Sequence, residues 1–508
     1  INPVSTLNRL DMEKVTEDLF ANLYFDYNII DVLKLKSSFG INSKTNNFKE
    51  FKPRSPERSK TTTTDNSLDF ATSKQIDWSL ETTLNYNKTF NDVHKLTLLA
   101  GHTLQRFQRD VFSITGRTFA FETDSARELI NAEEFTNPVT GYGANSLMSY
   151  FGRAIYGYDG KYLLTASVRR DGTSKIPKAV SDNTWGTFPA VALAWRASEE
   201  GFLKESKTIS NLKFRASWGI IGNINSLGNY PTSPQLSLIP TVLGESSDKS
   251  NGFAANTRAD LGIKWELTES LNFGLDLGLL DNALTFSADY FIKDTDDLIF
   301  QLPVSSLEGI TENPFVNAGK VRNKGFEAAL TYQKSEGDFT YSISGNLSKI
   351  DNEVLELTDD IEISHENNVA SLTPLKSVVG QPLFSFFVVE TDGLDDKGDL
   401  VFVDRNGDNV INDSDKYIYK DPYADIIMGL NTNLNYKQWD FSMQTRANIG
   451  NYAYDNVASS NAYLRRATEN NILSNLHADY LNTGFQETTE GNLLSSHFVK
   501  EASFFKIT

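Results

Sequence analysis

The chain contains no cysteine among its 508 residues, so disulfide bonds and thiolate metal sites are excluded. No apolar run approaches the ~20 residues that a membrane-spanning helix requires, and the mean hydropathy is −0.36. Positive charge is also in deficit: the formal net charge is −18, which argues against nucleic acid as a ligand. These absences exclude disulfide scaffolds and membrane-spanning helices, and they argue against a nucleic-acid-binding protein.

Apolar residues instead recur at every second position, most plainly between 271 and 279. One face there carries only Leu and Phe and the other carries Asn, Gly and Asp: Leu271, Phe273, Leu275, Leu277 and Leu279 against Asn272, Gly274, Asp276 and Gly278. This period of two is typical of a β-strand with one apolar and one wetted face. About 9–11 tilted residues of this kind are enough to cross a bilayer.

Similar two-faced segments recur along the chain and are joined by connections of two kinds. Short turns are expected at 30–31, 91–93, 159–160, 281–282, 335–337 and 437–438. Long loops are expected at about 44–74, 105–145, 171–186, 221–264, 295–324, 348–425 and 450–497. Only 199–211 departs from this alternation, as a medium-length connection where a short turn is due. We count about fourteen strands and a further one begun near Phe498.

This pattern predicts an all-β fold, a transmembrane antiparallel β-barrel with long extracellular loops and a water-filled lumen. Aromatic residues near the short turns suit the membrane interface, although strands are enriched in aromatics generally; they are Tyr27, Tyr86, Phe90, Tyr156, Tyr158, Tyr332, Phe339, Tyr436 and Trp439. A soluble β-sandwich or repeat array is the alternative. It accounts for the alternation but not for charges and amides along the inner face.

Ordered motifs from residue 170 onward resemble those of one known family. They are Arg170-Asp171-Gly172-Thr173-Ser174, Trp185-Gly186-Thr187-Phe188-Pro189, Leu212 through Gly219 with Gly222-Asn223, Lys264-Trp265-Glu266, Asn317 through Glu327, and Val379-Gly380-Gln381-Pro382. In this order they resemble the SusC/RagA-like TonB-dependent outer-membrane transporters of the Bacteroidetes.

The resemblance implies a 22-stranded barrel in the outer membrane, filled by an N-terminal plug domain. It also implies a SusD-like surface lipoprotein as lid, energy from the TonB complex, contact with outer-membrane lipid and a possible dimer of transporter–lipoprotein pairs. The plug, the TonB-contact segment and several strands are absent from this sequence. We therefore expect the chain to be a piece of a longer protein, since an open sheet edge cannot face lipid.

One local motif has the spacing of a calcium loop. Six residues occupy positions 1, 3, 5, 7, 9 and 12 of an EF-hand-type loop at 404–415: Asp404, Asn406, Asp408, Val410 through its carbonyl, Asn412 and Asp415. Hard oxygen ligands at this spacing can surround one Ca²⁺. Asn409 stands where Gly is usual, and Asn tolerates left-handed geometry. The sequence predicts a structural Ca²⁺ site bracing the 348–425 loop, with a metal-free Asx-rich turn as the alternative.

Two further motifs admit a binding and a structural interpretation. Arg169 and Arg170 could form an anion site, but the alternation predicts that one faces the lumen and the other lies near the outer rim, so an ion pair with lumenal acids is the favoured interpretation. The 185–189 run could stack on sugars, and we favour aromatic packing at the start of a rim strand.

No catalytic set is evident, because the five histidines are scattered outside any catalytic motif: His94, His102, His365, His477 and His497. We therefore expect a non-enzymatic protein. The family resemblance implies that it imports a bulky oligosaccharide or peptide across the outer membrane. Two alternatives stay open: a structural or adhesion barrel that docks surface proteins, and a siderophore-type TonB receptor. No substrate-binding residue is assigned.

Overall fold

The computed structural model describes residues 11–54, 66–178, 181–234, 236–242, 249–302, 304, 307, 309–310, 312–335, 337–358, 363–364, 374–461, 478–483 and 494–507. The described strands are, in chain order, β1 (Asp11–Ile30), β2 (Leu33–Lys52), β3 (Ser67–Phe90), β4 (His94–Phe119), β5 (Ala132–Tyr158), β6 (Tyr162–Thr173), β7 (Trp185–Arg196), β8 (Ile209–Asn223), β9 (Leu236–Val242), β10 (Lys249–Ala255), β11 (Glu266–Leu279), β12 (Leu284–Asp296), β13 (Ile299–Gln301), β14 (Phe315–Asn317), β15 (Lys320–Lys334), β16 (Phe339–Glu356), β17 (Ile363–Ser364), β18 (Leu375–Ser377), β19 (Ser385–Val389), β20 (Thr391–Leu394), β21 (Leu400–Phe402), β22 (Lys416–Ile418), β23 (Ile426–Tyr436), β24 (Trp439–Ile449), β25 (Tyr452–Tyr454), β26 (Val499–Glu501) and β27 (Phe504–Ile507). Two short helices span Asn456–Asn461 and Asp479–Thr483.

Fifteen of these strands form one antiparallel sheet in sequence order: β1 to β8, β11, β12, β15, β16, β23, β24 and β27. Each pairs with the next along the chain, and within the described residues β1 and β27 are paired on one side only, so the sheet is not closed. The remaining strands form small ribbons within the long connections. Among the described residues, no helix is long and apolar enough to span a membrane.

The alternation of short and long connections is present in the structure. Short turns join every second pair of sheet strands except β7 and β8, which residues 197–208 join as a medium-length connection. Several of the short turns contain residues in the left-handed region that tight hairpins require, such as Asp92 (φ 58°), Asp159 (φ 51°) and Lys437 (φ 53°). The connections at the other end include the 42 residues between β8 and β11, from 224 to 265. All short turns therefore lie at one end of the sheet, the periplasmic end of an outer-membrane barrel.

Several strands are longer than one bilayer crossing needs. β4 has 26 residues and β5 has 27, so strand pairing continues through much of the range 105–145 that we expected to be a loop. Polar residues occupy both faces above the membrane, so the alternation fades there while the backbone ladder persists. The last sheet strand also begins later than expected, at Phe504, because Phe498 lies in a buried 3₁₀ turn.

Rows of directly paired residues show that the two faces of the wall differ in chemistry. One row on the outer face is almost wholly apolar across nine strands: Trp195, Phe214, Leu275, Ala288, Ala328, Leu347, Met428, Ala447 and Phe505. A row on the inner face is polar: Arg215, Gly274, Asp289, Glu327 and Ser348. The apolar face suits lipid and the polar face suits a wet lumen.

The aromatic residues near the short turns lie on the outer face, as expected for an interfacial girdle. Trp439 is 79% exposed and Tyr27 54% exposed. Neighbouring rings contact one another along the girdle, for example Phe339 with Tyr436 at 6.3 Å between centroids.

A charged cluster joins three strands on the lumenal face. The Arg215 guanidinium donates to both Asp276 and Asp289, each at 2.9 Å, and so connects β8 with β11 and β12. Gly274 leaves the room that this requires, because a Cβ there would lie 2.5 Å from Arg215 Cζ. All three charged side chains are less than a third exposed.

The two faces predict opposite responses to an introduced charge. Leu275 faces outward four residues from the end of β11, near the middle of the apolar band, whereas Ser287 on the next strand faces the lumen. Leu275→Arg in the full-length protein should lower the free energy of unfolding by about 2–4 kcal/mol, measured by urea titration. Ser287→Arg should change it little, and equal losses would contradict this assignment of faces.

The charged cluster predicts a stability loss that can be rescued. Arg215→Met leaves Asp289 without its cation and Asp276 with Lys213 alone, at 3.5 Å, and should lower the free energy of unfolding by about 2 kcal/mol in the same titration. Adding Asp276→Asn and Asp289→Asn should restore most of the loss, because the carboxylate left without its cation is then removed. Unchanged stability of the single variant would show that the cluster is not stabilising.

Candidate functional site on the lumenal wall and its loops

A cavity of about 500 Å³ lies against the lumenal face of β1 to β5. Its wall includes one row of directly paired residues that crosses five strands, in the order Phe20, Asn42, Asp77, Phe107 and Asn145. Paired strands lie ~4.8 Å apart, so the two rings stand about 14 Å apart with an amide and a carboxylate between them. Such a wall can stack on flat apolar groups and bind hydroxyl or N–H groups between them.

Two hydrogen-bond acceptors in this row lack partners. Within the described residues, Asn42 Oδ1 and Asp77 Oδ1 have none, although Asp77 Oδ2 accepts from Gln75 Nε2 at 2.7 Å. Unpaired buried acceptors are costly. Rotation of either side chain toward the cavity would allow the oxygen to accept from a ligand.

The connection after β8 folds over the wall and bounds the cavity. Asn145 Nδ2 donates to Asn229 Oδ1 at 2.9 Å, and Lys175 Nζ donates to the Leu227 carbonyl at 2.7 Å. Burial lowers the pKa of Lys175. Ile224 and Trp265 line the same cavity and belong to an apolar cluster. The long connection therefore contributes directly to the lumenal surface.

The cavity lies near the extracellular end. Asn42 is nine residues beyond the start of β2, and Asp77 is thirteen before the end of β3. At ~3.3 Å per residue and a tilt of about 40°, these positions lie roughly 23–33 Å above the short turns. A solute entering from outside the cell would therefore reach the cavity before it reached the part of the lumenal wall that spans the membrane.

None of these wall residues was assigned from the sequence. The available signal was that Phe20 and Phe107 are aromatic residues at lumenal positions of their strands, out of phase with the apolar face. Their alignment with Asn42 and Asp77 depends on the register of four strand pairs, which the sequence alone did not provide.

The loop at 404–415 brings some of its predicted ligands together and separates others. Asp404 lies beside Asp415, and accepts hydrogen bonds from the N–H groups of Gly407 and Asn409, each at 2.7 Å. Asp408 Oδ2 instead accepts from Asn406 Nδ2 at 3.0 Å. Two of the three carboxylates are therefore neighbours, and the third is turned toward an amide.

The other predicted ligands also take part in local hydrogen bonds. Val410 N–H donates to Asp408 Oδ1, and Asn412 Nδ2 donates to the Val410 carbonyl at 3.2 Å. Asn412 Oδ1 caps the 3₁₀ turn by accepting from the Ser414 N–H. In the described part of the chain, no three His, Cys, Asp or Glu side chains form a group suited to a metal ion.

The geometry of the loop has the backbone features that its spacing predicted. Asn409 takes a left-handed φ of 63° at the position where Gly is usual. The buried Asp415 carboxylate accepts from the N–H groups of Asn412, Asn406 and Arg405, which lower its pKa. Arg405 lies 4.2 Å over the Tyr417 ring, and burial raises the pKa of Tyr417 to about 12. The loop is thus a fixed unit, attached to β22.

The arginine pair at 169–170 is divided between the two faces, as the alternation predicted. Arg169 forms an ion pair with Asp171 at 2.7 Å and donates to Ser149 Oγ on the lumenal side. Arg170 lies on the outer side, with its guanidinium 5.6 Å from the Trp185 ring. The preferred ion-pair interpretation therefore applies to Arg169 alone.

The described histidines lie on different parts of the structure, two in the sheet and one outside it. His94 contacts Tyr156 near a short turn, His102 contacts Tyr150 higher on the wall, and His497 lies against Phe498 in the last long connection. His365 and His477 lie outside the described residues.

Comparison with known proteins shows the same architecture. A family model described as "TonB dependent receptor-like, beta-barrel" matches residues 2–451. TonB-dependent receptor P3 of Formosa agariphila is 30% identical over 469 residues, which cover 88% of this chain and 46% of that protein. TonB-dependent receptor SusC of Bacteroides thetaiotaomicron is 33% identical over 383 residues, which cover 71% and 37%.

A solved structure entitled "Structure of the RagAB peptide transporter" superposes with a TM-score of 0.82 at 20% identity, covering 98% of this chain and 55% of that one. The chain spans less than half the length of the two curated relatives. The SusC/RagA-like resemblance is confirmed: the chain belongs to the TonB-dependent receptor family and forms part of its outer-membrane β-barrel.

Proposed function

We propose that the whole protein imports a bulky oligosaccharide or peptide across the outer membrane, with energy from the TonB complex and a SusD-like surface lipoprotein as lid. The observation that carries this proposal is the polar lumenal wall with a cavity of about 500 Å³ at its extracellular end. The SusC relative and the likeness to a peptide transporter support it. Pairing of two transporter–lipoprotein units is part of the same proposal.

A role in binding and transport also suits the residues of the cavity better than a catalytic one. The row contains amides, one carboxylate and two phenyl rings, and it includes neither a histidine nor a serine. The related proteins are named as receptors. We therefore propose that the protein is not an enzyme. A scaffold for surface proteins would not need a polar cavity facing the lumen.

Deletion of the full-length gene should abolish uptake of one labelled class, oligosaccharides or peptides, and complementation should restore it only when TonB is present. Asn42→Ala with Asp77→Ala should reduce uptake at low substrate concentration about tenfold, because two ligand hydrogen bonds are lost. Asn433→Ala, a lumen-facing amide outside the cavity, is the matched control. Normal uptake of both classes by the deletion strain would favour the structural or adhesion role.

We also propose that the 404–415 loop binds a structural Ca²⁺. The support is the spacing of Asp404, Asn406, Asp408, the Val410 carbonyl, Asn412 and Asp415, together with the left-handed Asn409. Asp404 and Asp415 already lie side by side, and rotation of Asp408 away from Asn406 would add its carboxylate. A bound Ca²⁺ would supply charge compensation for these acids and brace the connection between β16 and β23.

Calcium binding predicts a selective effect of two nearby aspartates. Addition of Ca²⁺ should raise the Tm of the full-length protein, and Asp404→Ala should abolish this rise because a carboxylate ligand is lost. Asp413→Ala removes an exposed carboxylate of the same loop at a position without a ligand role, where it only pairs with Lys416, and should keep the rise. Equal Ca²⁺ responses in the two variants would contradict the site.

A further inference from the structure

The contrast between Arg169 and Arg170 raises the question of what Arg170 binds. Arg169 has its counter-ion in Asp171 on the lumenal face. Arg170 is exposed on the outer face, and no carboxylate of the described residues lies within ion-pair distance of it. Its contact is the Trp185 ring, 5.6 Å from the guanidinium carbon. A cation on the lipid side of the wall thus lacks a counter-charge in the part of the chain that the structure describes.

Arg170 belongs to a cationic and aromatic surface on the outer face. Its direct neighbour on β5 is Tyr150, and the neighbour of Tyr150 on β4 is His102, with 4.8 Å between their ring centroids. Trp185 stacks at 6.3 Å from Tyr150. Arg106, four residues beyond His102 on the same face of β4, is also exposed and without an ion-pair partner among the described residues. We call these five residues the Arg170 patch.

Gly172 contributes to the shape of the Arg170 patch. A Cβ at Gly172 would lie 2.9 Å from three ring atoms of Trp185, so the indole rests directly on the β6 backbone. Arg170, whose guanidinium lies 5.6 Å from this ring, remains exposed. The nearest acid on the same face of β4, Asp110, accepts from Gln108 Nε2 at 3.3 Å and does not neutralise the patch.

The depth of the patch matches one particular layer of the membrane. Arg170 is eight residues beyond Tyr162, which begins β6 at the periplasmic girdle. Eight residues at ~3.3 Å and a tilt of about 40° correspond to roughly 20 Å along the membrane normal, and the apolar band is about 25 Å tall. Arg170 can extend its head to the outer-leaflet headgroups, and Arg106 lies about 10 Å higher on the same estimate.

We propose that the Arg170 patch binds the phosphorylated headgroup of an outer-leaflet lipid. An uncompensated guanidinium at the edge of hydrocarbon is costly, and a phosphate offers it charge and bidentate hydrogen bonding. The Trp185 and Tyr150 rings beside it suit the boundary between headgroups and acyl chains. The site depends only on the outer-membrane location and is independent of what the protein imports.

Native mass spectrometry of the full-length protein with an added lipid carrying a phosphorylated headgroup tests this proposal. Arg170→Gln with Arg106→Gln should weaken lipid binding at least about tenfold, since each substitution removes a charge-assisted hydrogen bond to the phosphate. Arg170→Lys should retain part of the binding because the charge remains without the planar fork. The same lipid after removal of its phosphate should bind as weakly as the double variant.

Arg169→Gln is the matched control, because it removes the adjacent arginine from the opposite face. Its lipid binding should equal that of the unchanged protein. Undiminished binding by the double variant, or an equal loss in Arg169→Gln, would overturn the proposal. Binding of inorganic phosphate as tight as that of the lipid would also overturn it, because the ligand would then be a free anion instead of a lipid headgroup.

Discussion

The structure depends on one constraint: each backbone N–H and C=O group inside hydrocarbon needs a hydrogen-bond partner from another strand. The fifteen sheet strands meet it by pairing antiparallel with their chain neighbours. Prolines show how strict this constraint is. The sheet strands contain two, and each falls where a ladder is interrupted: Pro138 opposite the register shift between Ser113 and Thr115, and Pro189 just before the β7–β8 pairing begins at Ala190.

Continuous pairing fixes the face of every residue, because successive residues of a strand alternate between the outer and the lumenal face. This alternation, called parity below, determines the chemistry of the wall. Apolar side chains on the outer face contact lipid individually, and no second sheet has to cover them. The polar face cannot remain a set of isolated charges, and it is organised into cross-strand groups such as Arg215 with Asp276 and Asp289. The same parity places Phe20 and Phe107 on the wet face, where they are available for a solute.

The sequence was sufficient for the features that depend on local periodicity. Strand faces, short turns at one end, the girdle aromatics and the division of Arg169 from Arg170 all follow from parity and turn chemistry. Features that depend on register were not accessible. The row through Asn42 and Asp77 needs four strand pairs to be aligned at once. β4 and β5 extend far into 105–145 because their backbones remain paired beyond the residues that alternate between apolar and polar. The hydrogen bonds of the 404–415 loop were likewise invisible in its spacing.

The four residues from Arg169 to Gly172 carry different roles on the two faces of the wall. Alternate positions serve different solvents: Arg169 and Asp171 neutralise each other on the lumenal side, while Arg170 and Gly172 shape the lipid side together with Trp185. A shift of register by one residue would exchange these roles, leaving an ion pair in lipid and an aromatic platform in water. Such a run therefore specifies the register of β6 more strongly than the repetitive apolar alternation that precedes it, because its two faces are chemically incompatible.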